Sequence, residues 1–428
     1  MSLDSKRWLI LIAGIVANLC QGAAYASSVI AVPMLTHLHL LVAGPGGKMV
    51  PDMPKWALAF SINLAMLPLG MLIFGKLADQ RSPRLVVALG GLLFGAGIFL
   101  SGFSESLKWF YLTFGVMGGL GSGAAYGAIV ATSVRWFPDR RGLASGLSVG
   151  ALGFGTVLIA PIAMAIMKSA PSEEVGVLLT LKILGAAFLA IICLASIVMV
   201  TPPKGYAPAG FVPKTPAQAS VGASDCTWVE MISQGRFYVL YLLYACGAFS
   251  GLMIISQAKP IIMGMKSYGL DPNALKIFAT GIVSGLGLAN ATGRLLWGGV
   301  SDAIGRYRAL VLMFLITAAT MFLLPGLSKS QSTMMVASLL IGACYGGYLG
   351  IFPSICADNF GGRNMAVNYA LLFSAFAVAA ICGPSAGAFI QKSTGSYDKA
   401  FIVAGAVASL GFVVSLIMAV AKPKAANS

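Results

Sequence analysis

The feature that most constrains this chain is a recurring apolar run about 20 residues long, broken each time by a short polar turn. A helix of that length crosses the roughly 30 Å of hydrocarbon in a bilayer. Twelve such spans are predicted, over 8–35, 56–74, 85–103, 109–133, 143–167, 177–200, 236–258, 276–299, 308–327, 333–356, 366–390 and 399–421. Residues 201–235 break the series. They carry Pro202, Pro203, Pro208, Pro213 and Pro216 and read as a polar, irregular cytoplasmic linker. The predicted class is therefore an all-α membrane protein with twelve transmembrane helices in two six-helix bundles, 1–200 and 236–428.

Composition agrees. In a soluble protein 428 residues would suggest two or three domains, but 58% are apolar and only 10% charged. Mean hydropathy is +0.88. The 52 glycines suit helices that approach closely in lipid. The formal charge of +15 does not point to nucleic acid, because the basic residues sit in short loops between apolar runs. With both termini cytoplasmic, Arg7, Arg81, Arg84, Arg135, Arg140, Arg141, Arg236, Arg306, Arg308 and Arg363 all fall on the inner side, and only lysines such as Lys48, Lys108 and Lys329 on the outer. The apolar run from Trp8 to Leu35 is too long for a signal peptide and reads as the first span. The seven cysteines show neither a C-x-x-C pair nor metal-ligand spacing, and they read as small apolar side chains.

The two halves repeat. Gly75-x-x-x-Asp79 recurs as Gly298-x-x-x-Asp302, Phe137-x-x-Arg140 as Phe360-x-x-Arg363, and Pro161 as Pro384, each 223 residues on. A constant offset over three features means a parallel repeat, for which a binding site between halves at mid-membrane depth is expected.

Within the eighth span the chain reads Gly285-Leu-Gly-Leu-Ala-Asn290-Ala-Thr-Gly-Arg294-Leu-Leu-Trp297-Gly-Gly. A cation at the bilayer centre costs about 3 to 17 kcal/mol unless it faces protein or a wet cavity. Arg294 therefore predicts an anionic visitor, and Asn290 one turn earlier shares its helix face. The repeat-related residue is Met71, so the scaffold does not require arginine at this position. No acid lies well inside a span that could neutralise it: Asp79, Asp139, Asp302 and Asp358 fall at or near inner ends. The expected guest is a carboxylate. In the turn motifs, Asp79, Arg84, Asp302 and Arg306 are candidate gating charges, the acids meeting a helix N-terminus or an arginine; topology-setting charge with ordinary turn chemistry is the alternative. His37 and His39 read as solvent-facing loop residues, and Lys259 as an interfacial cation.

The twin loops Gly75–Arg84 and Gly298–Arg308, with the twelve spans, resemble the major facilitator superfamily over nearly the whole chain. The stretch Arg135-Trp-Phe-Pro-Asp-Arg-Arg141, with Asn290-x-x-x-Arg294, Phe352-Pro-Ser354 and Asn368-Tyr369, resembles its oxalate/formate antiporter branch, related to the monocarboxylate transporters. That branch carries two cavity cations. Arg294 matches one, whereas the place of the second holds Phe376. One cation neutralises one carboxylate, and a dianion would leave a net charge in a medium where desolvation costs several kcal/mol. The resemblance thus implies a monocarboxylate such as lactate, pyruvate or formate. It also implies cavity aromatics at Tyr25, Tyr126, Tyr345 and Phe373, to which Tyr348 and Phe376 are added by position; at Leu152 an aromatic is replaced, leaving room for a short alkyl tail. In the monocarboxylate transporters an acid commonly stands where Asn290 stands, so a proton route, if used, runs through the substrate or a tyrosine.

The expected function is alternating-access transport of a small monocarboxylate, by proton symport or by carboxylate exchange, with a non-transporting carboxylate sensor as the reading of another class. No nucleophile–base pair, metal cluster or phosphate loop points to an enzyme, and no metal or cofactor is expected. The expected setting is a prokaryotic inner membrane, with the chain acting as a monomer and with the monocarboxylate, protons in the symport reading, and the lipid bilayer as its partners.

Overall fold

Helices dominate because apolar runs in hydrocarbon must satisfy every backbone group internally. Polar side chains start several of them: Ser2 accepts from the Ser5 N–H, Ser106 from Trp109, Ser172 from Val175, and Asp271 from Asn273 and Ala274. A computed structural model describes residues 2–23, 28–43, 49–203, 205–208, 211, 225–263, 271–394 and 397–420. The elements are α1 (Leu3–Gln21), α2 (Ser28–His37), β1 (Leu41–Ala43), β2 (Met49–Pro51), α3 (Met53–Gln80), α4 (Pro83–Ser101), α5 (Leu107–Trp136), α6 (Arg141–Lys168) and α7 (Glu173–Ser196). There follow α8 (Trp228–Ile232), α9 (Gly235–Ile255), α10 (Ala258–Met263), α11 (Pro272–Ile304), α12 (Arg306–Leu327), α13 (Gln331–Phe360), α14 (Met365–Thr394) and α15 (Asp398–Val420).

Among the described residues, 11 helices are long and apolar enough to cross a membrane. They correspond to spans two to twelve. The first predicted span is represented by α1 and α2: α1 opens on Asp4, Lys6 and Arg7 and stops at Gly22. Residues 24–27 lie outside the described residues. Between α2 and α3, β1 and β2 form a small antiparallel hairpin that the sequence reading lacks. His39 is exposed as expected, but His37 is half-buried and its Nε2 lies 3.0 Å from the Ser104 carbonyl.

The chain divides into two compact units, Met1–Trp136 with Ala151–Ala209, and Phe137–Gly150 with Gly210–Ser428. In the first, α3 packs on α5 and α4 on α7, that is, the second span with the fourth and the third with the sixth. In the second unit, α11 packs on α13 and α12 on α15, the eighth with the tenth and the ninth with the twelfth. The same pairing in both units is the structural counterpart of the sequence repeat.

The described ends of the predicted linker are tied down by hydrogen bonds and ring contacts. In the first unit, Trp136 donates from Nε1 to the Val200 carbonyl at 2.6 Å and packs its ring 4.9 Å from that of Tyr206. In the second, the Asp225 carboxylate accepts from the Gly362 and Arg363 N–H groups at 3.0 Å. Thr227 and Glu230 then form a capping box that starts α8. The Thr227 backbone N–H holds the Glu230 carboxyl below its ordinary pKa.

Candidate substrate site

Small residues set the position of Arg294. In α13, Gly342, Gly346 and Gly350 recur every fourth residue and face the backbone of Leu286, Asn290 and Arg294 in α11. A Cβ at Gly346 would stand 2.0 Å from the Asn290 carbonyl, so only glycine permits this approach. The start of α6, which belongs to the second unit, repeats the device with Gly142 and Gly146. A Cβ at Gly146 would stand 2.5 Å from the Arg294 carbonyl, and one at Gly142 would stand 2.2 Å from that of Gly298. The Ser145 hydroxyl donates to the Gly350 carbonyl at 2.6 Å and lies 2.8 Å from the Ser354 hydroxyl.

Arg294 is only 6% exposed. Its Nε donates to Asn290 Oδ1 at 3.1 Å, and its Nη1 donates to the Val149 carbonyl at 2.9 Å. The partners are neutral, and no carboxylate lies within ion-pair distance of this guanidinium among the described residues. The two bonds hold the planar fork in place and leave its full positive charge uncompensated. A carboxylate can accept from such a fork through charge-assisted bonds, roughly twice as strong as neutral ones.

The other predicted site residues fall into three groups. Phe373, 4% exposed, packs edge-on to Tyr369 and stacks on half-buried Phe376 with centroids 5.1 Å apart. Phe376, which the resemblance sets at the place of a second cation, is thus one half of an apolar pair. Tyr345 is buried, its ring over Gly251, where a Cβ would lie 2.6 Å away. Tyr348 is 1% exposed, packs on Phe314 and has its hydroxyl 3.2 Å from that of Thr317. It serves the packing of α12 against α13. Tyr126 and Leu152 belong to the first unit and are both buried there. Tyr25 lies outside the described residues, as do Lys48 and the Lys259 side chain.

The structure adds residues the sequence reading passed over. The Val149 carbonyl is one; a backbone acceptor leaves no trace in side-chain identity. Asn18, Gln21 and Ser122 are others. In the first unit Gln21 donates to Asn18 Oδ1 and accepts from Ser122, both at 3.0 Å, all three deeply buried. Ser122 precedes Tyr126 by one turn, a spacing visible in the sequence.

The gating candidates separate by unit. In the second, the Asp302 carboxylate accepts from the N–H groups of Gly142 and Leu143 at 2.9 and 2.8 Å, capping the N-terminus of α6. Arg306 reaches Asp302 at 2.6 Å and Asp358 at 2.8 Å, and Arg141 reaches Asp358 at 2.6 Å. In the first unit Asp79 is paired with Arg135, and both side chains are buried. Arg84 donates to the Ile197 carbonyl at the end of α7. Asp358, Arg141 and Arg135 were visible as charges, but their partners depend on helix placement.

Eleven membrane-length helices among the described residues, with a buried arginine in the eighth span that no described carboxylate neutralises, make this a polytopic helical membrane protein, and its family makes it a secondary transporter. The chain belongs to the Major Facilitator Superfamily, whose sequence model matches residues 14–288 and 260–428. It is a transporter and not an enzyme. It is 28% identical over 378 residues to the Escherichia coli K12 protein called the uncharacterized MFS-type transporter YhjX, covering 88% of this chain and 86% of that one. It is 28% identical over 418 residues to the oxalate:formate antiporter of Oxalobacter formigenes, covering 96% and 91%. With monocarboxylate transporter 12 of Xenopus laevis it shares 25% over 339 residues, covering 77% and 72%. Among solved structures, the E. coli fucose:proton symporter FucP superposes with a TM-score of 0.72 at 13% identity, covering 97% and 99%. The human organic anion transporter MFSD10 superposes with a TM-score of 0.68 at 17% identity, covering 96% and 99%. At these identities the solved structures speak for the fold alone.

Proposed function

We propose that this transporter moves a small monocarboxylate, of the size of lactate, pyruvate or formate, by alternating access coupled to a proton. The observation that carries the reading is Arg294: buried, oriented by Asn290 and Val149, and facing no carboxylate among the described residues. Arg294 binds the carboxylate, Asn290 holds the guanidinium at its near edge, and Phe373 with Phe376 gives an apolar wall for the alkyl tail. Tyr126, Tyr345, Tyr25 and Leu152 complete the proposed lining, with Tyr348 supporting it from behind through Thr317. A single cation beside an apolar pair suits one negative charge better than two.

Opening and closing is assigned to the charge groups at the span ends. Asp302, Arg306, Asp358 and Arg141 form one, and Asp79 with Arg135 the other, with Arg84 anchoring α7. The arginine distribution supports cytoplasmic termini in a prokaryotic inner membrane. Residues 201–235 then form a cytoplasmic linker between the bundles 1–200 and 236–428, and the protein works as a monomer.

Exchange of one carboxylate for another is the second reading. It is favoured by the absence of a carboxylic acid well inside any predicted span, since exchange requires no proton site. Proteoliposomes separate the two. Symport predicts lactate uptake driven by an inward proton gradient without internal substrate. Exchange predicts uptake only into vesicles preloaded with carboxylate, whatever the gradient. No uptake or counterflow of any monocarboxylate in a panel from formate to butyrate would refute both.

A further inference from the structure

The second unit carries a cleft of about 490 Å³ between α12 and α13, away from Arg294. Ile316, Leu323, Val336 and Leu340 form its walls, and Ala319 and Ala337 leave the space between them. Both helices are long and apolar enough to span the membrane, so the medium outside this face is lipid. Leu323 is 61% exposed and Val336 57%, as expected for side chains that meet hydrocarbon.

Three observations narrow the occupant. The volume lies within the roughly 300–1,000 Å³ of ligand-sized pockets. Along α12 the lining runs from Ile316 to Leu327. At 1.5 Å per residue that is about 16 Å, or one leaflet of a hydrocarbon core about 30 Å thick. The lining ends at Leu327, Ser332 and Thr333, which flank the turn Ser328–Ser330 at the opposite end of α12 from Arg306 and Arg308, and Lys329 in that turn is exposed. Thr333 at this mouth donates to the Ser330 carbonyl at 3.1 Å and to that of Leu327, so the turn's backbone is already engaged. Lys329 has no carboxylate partner among the described residues.

We infer that this cleft is a binding site for one anionic phospholipid, with an acyl chain lying along Ile316–Leu327 and the phosphate paired with Lys329. A one-leaflet apolar groove with a cation only at its headgroup end matches that molecule at both ends. A second copy of the chain fits less well. Two copies share one orientation in the membrane, and two-fold pairing across this face would bring their Lys329 side chains together at the same depth.

The test is native mass spectrometry of the full chain from detergent, with equimolar phosphatidylglycerol and phosphatidylcholine of identical acyl chains. The wild type is expected to retain phosphatidylglycerol about fivefold over phosphatidylcholine. Lys329→Glu brings the ratio to one or below. Ala319→Trp, at an exposed position within the cleft, removes retention of both lipids while the melting temperature of the lipid-free protein is unchanged. An unaltered lipid ratio in Lys329→Glu, or unaltered retention in Ala319→Trp, overturns the proposal. So does efficient Val336→Cys cross-linking between copies in native membranes, which would assign the face to a dimer.

Discussion

The Arg294 guanidinium reaches the Val149 carbonyl at 2.9 Å because Gly146 lets α6 lie against α11 with no side chain between them. The bond is set by a residue that does not take part in it. Gly146→Val would place a methine carbon 2.5 Å from the Arg294 carbonyl and force the helices apart. Overpacking of this kind costs about 1–3 kcal/mol. The expected outcome is a lower melting temperature together with a raised KM for the carboxylate, as the fork loses one of its two orienting partners.

Arg294→Ala is expected to abolish monocarboxylate uptake while the protein still inserts and folds. Arg294→Lys keeps the charge but not the planar fork. Because an ammonium cannot meet Asn290, Val149 and a carboxylate in the same geometry, it should lose about 10- to 100-fold in apparent affinity. Uptake in proteoliposomes across a substrate series measures both. Wild-type transport by the alanine variant would remove Arg294 from the site.

Phe376→Lys adds a second cation one turn from Phe373. The oxalate-to-lactate uptake ratio is expected to rise by about tenfold or more, the change produced by roughly 1.4 kcal/mol of differential binding. Competition between labelled lactate and unlabelled oxalate reads this directly. An unchanged ratio would show that charge number at this position does not govern selectivity.

The buried Asp79–Arg135 pair makes a stability prediction. Asp79→Leu leaves the Arg135 charge without its carboxylate and should cost about 3–5 kcal/mol. Replacing both, as Asp79→Leu with Arg135→Met, should recover much of that loss, because two apolar side chains remove the desolvation penalty as well as the attraction. Thermal unfolding in detergent compares the single and double variants. Equal destabilisation by both would mean that the pair contributes through contacts other than charge.

Asp302 should respond differently, because it accepts from two backbone N–H groups at the start of α6 as well as from Arg306. Asp302→Asn keeps an acceptor but loses the charge, and Asp302→Ala loses both. The alanine variant is expected to be the less stable by about 1 kcal/mol, the typical worth of an N-cap. Both should alter transport rate more than substrate affinity, because Asp302 lies about two helical turns beyond Arg294 in α11 and its contacts are the start of α6 and Arg306.

Much of this protein was decided by residue order alone. Apolar runs of bilayer length dictate spanning helices, because the hydrocarbon offers backbone groups no other partner, and spans two to twelve appear as continuous helices. The repeat at 223 residues foretold the matched helix pairing in the two units. Arg294 and Asn290 could be placed together because one helical turn separates them, and a turn is local geometry. What lies across helices was not decided this way. The bond to Val149 joins residues 145 positions apart, and the Arg141–Asp358 pair joins residues 217 apart. Tyr348 was legible only as an aromatic in an apolar span, and its hydroxyl contact with Thr317 joins residues 31 positions apart. Composition and periodicity say which face of a helix is apolar or small, but not which neighbour it meets; close packing of the assembled helices selects the partner, down to the glycines that set their separation.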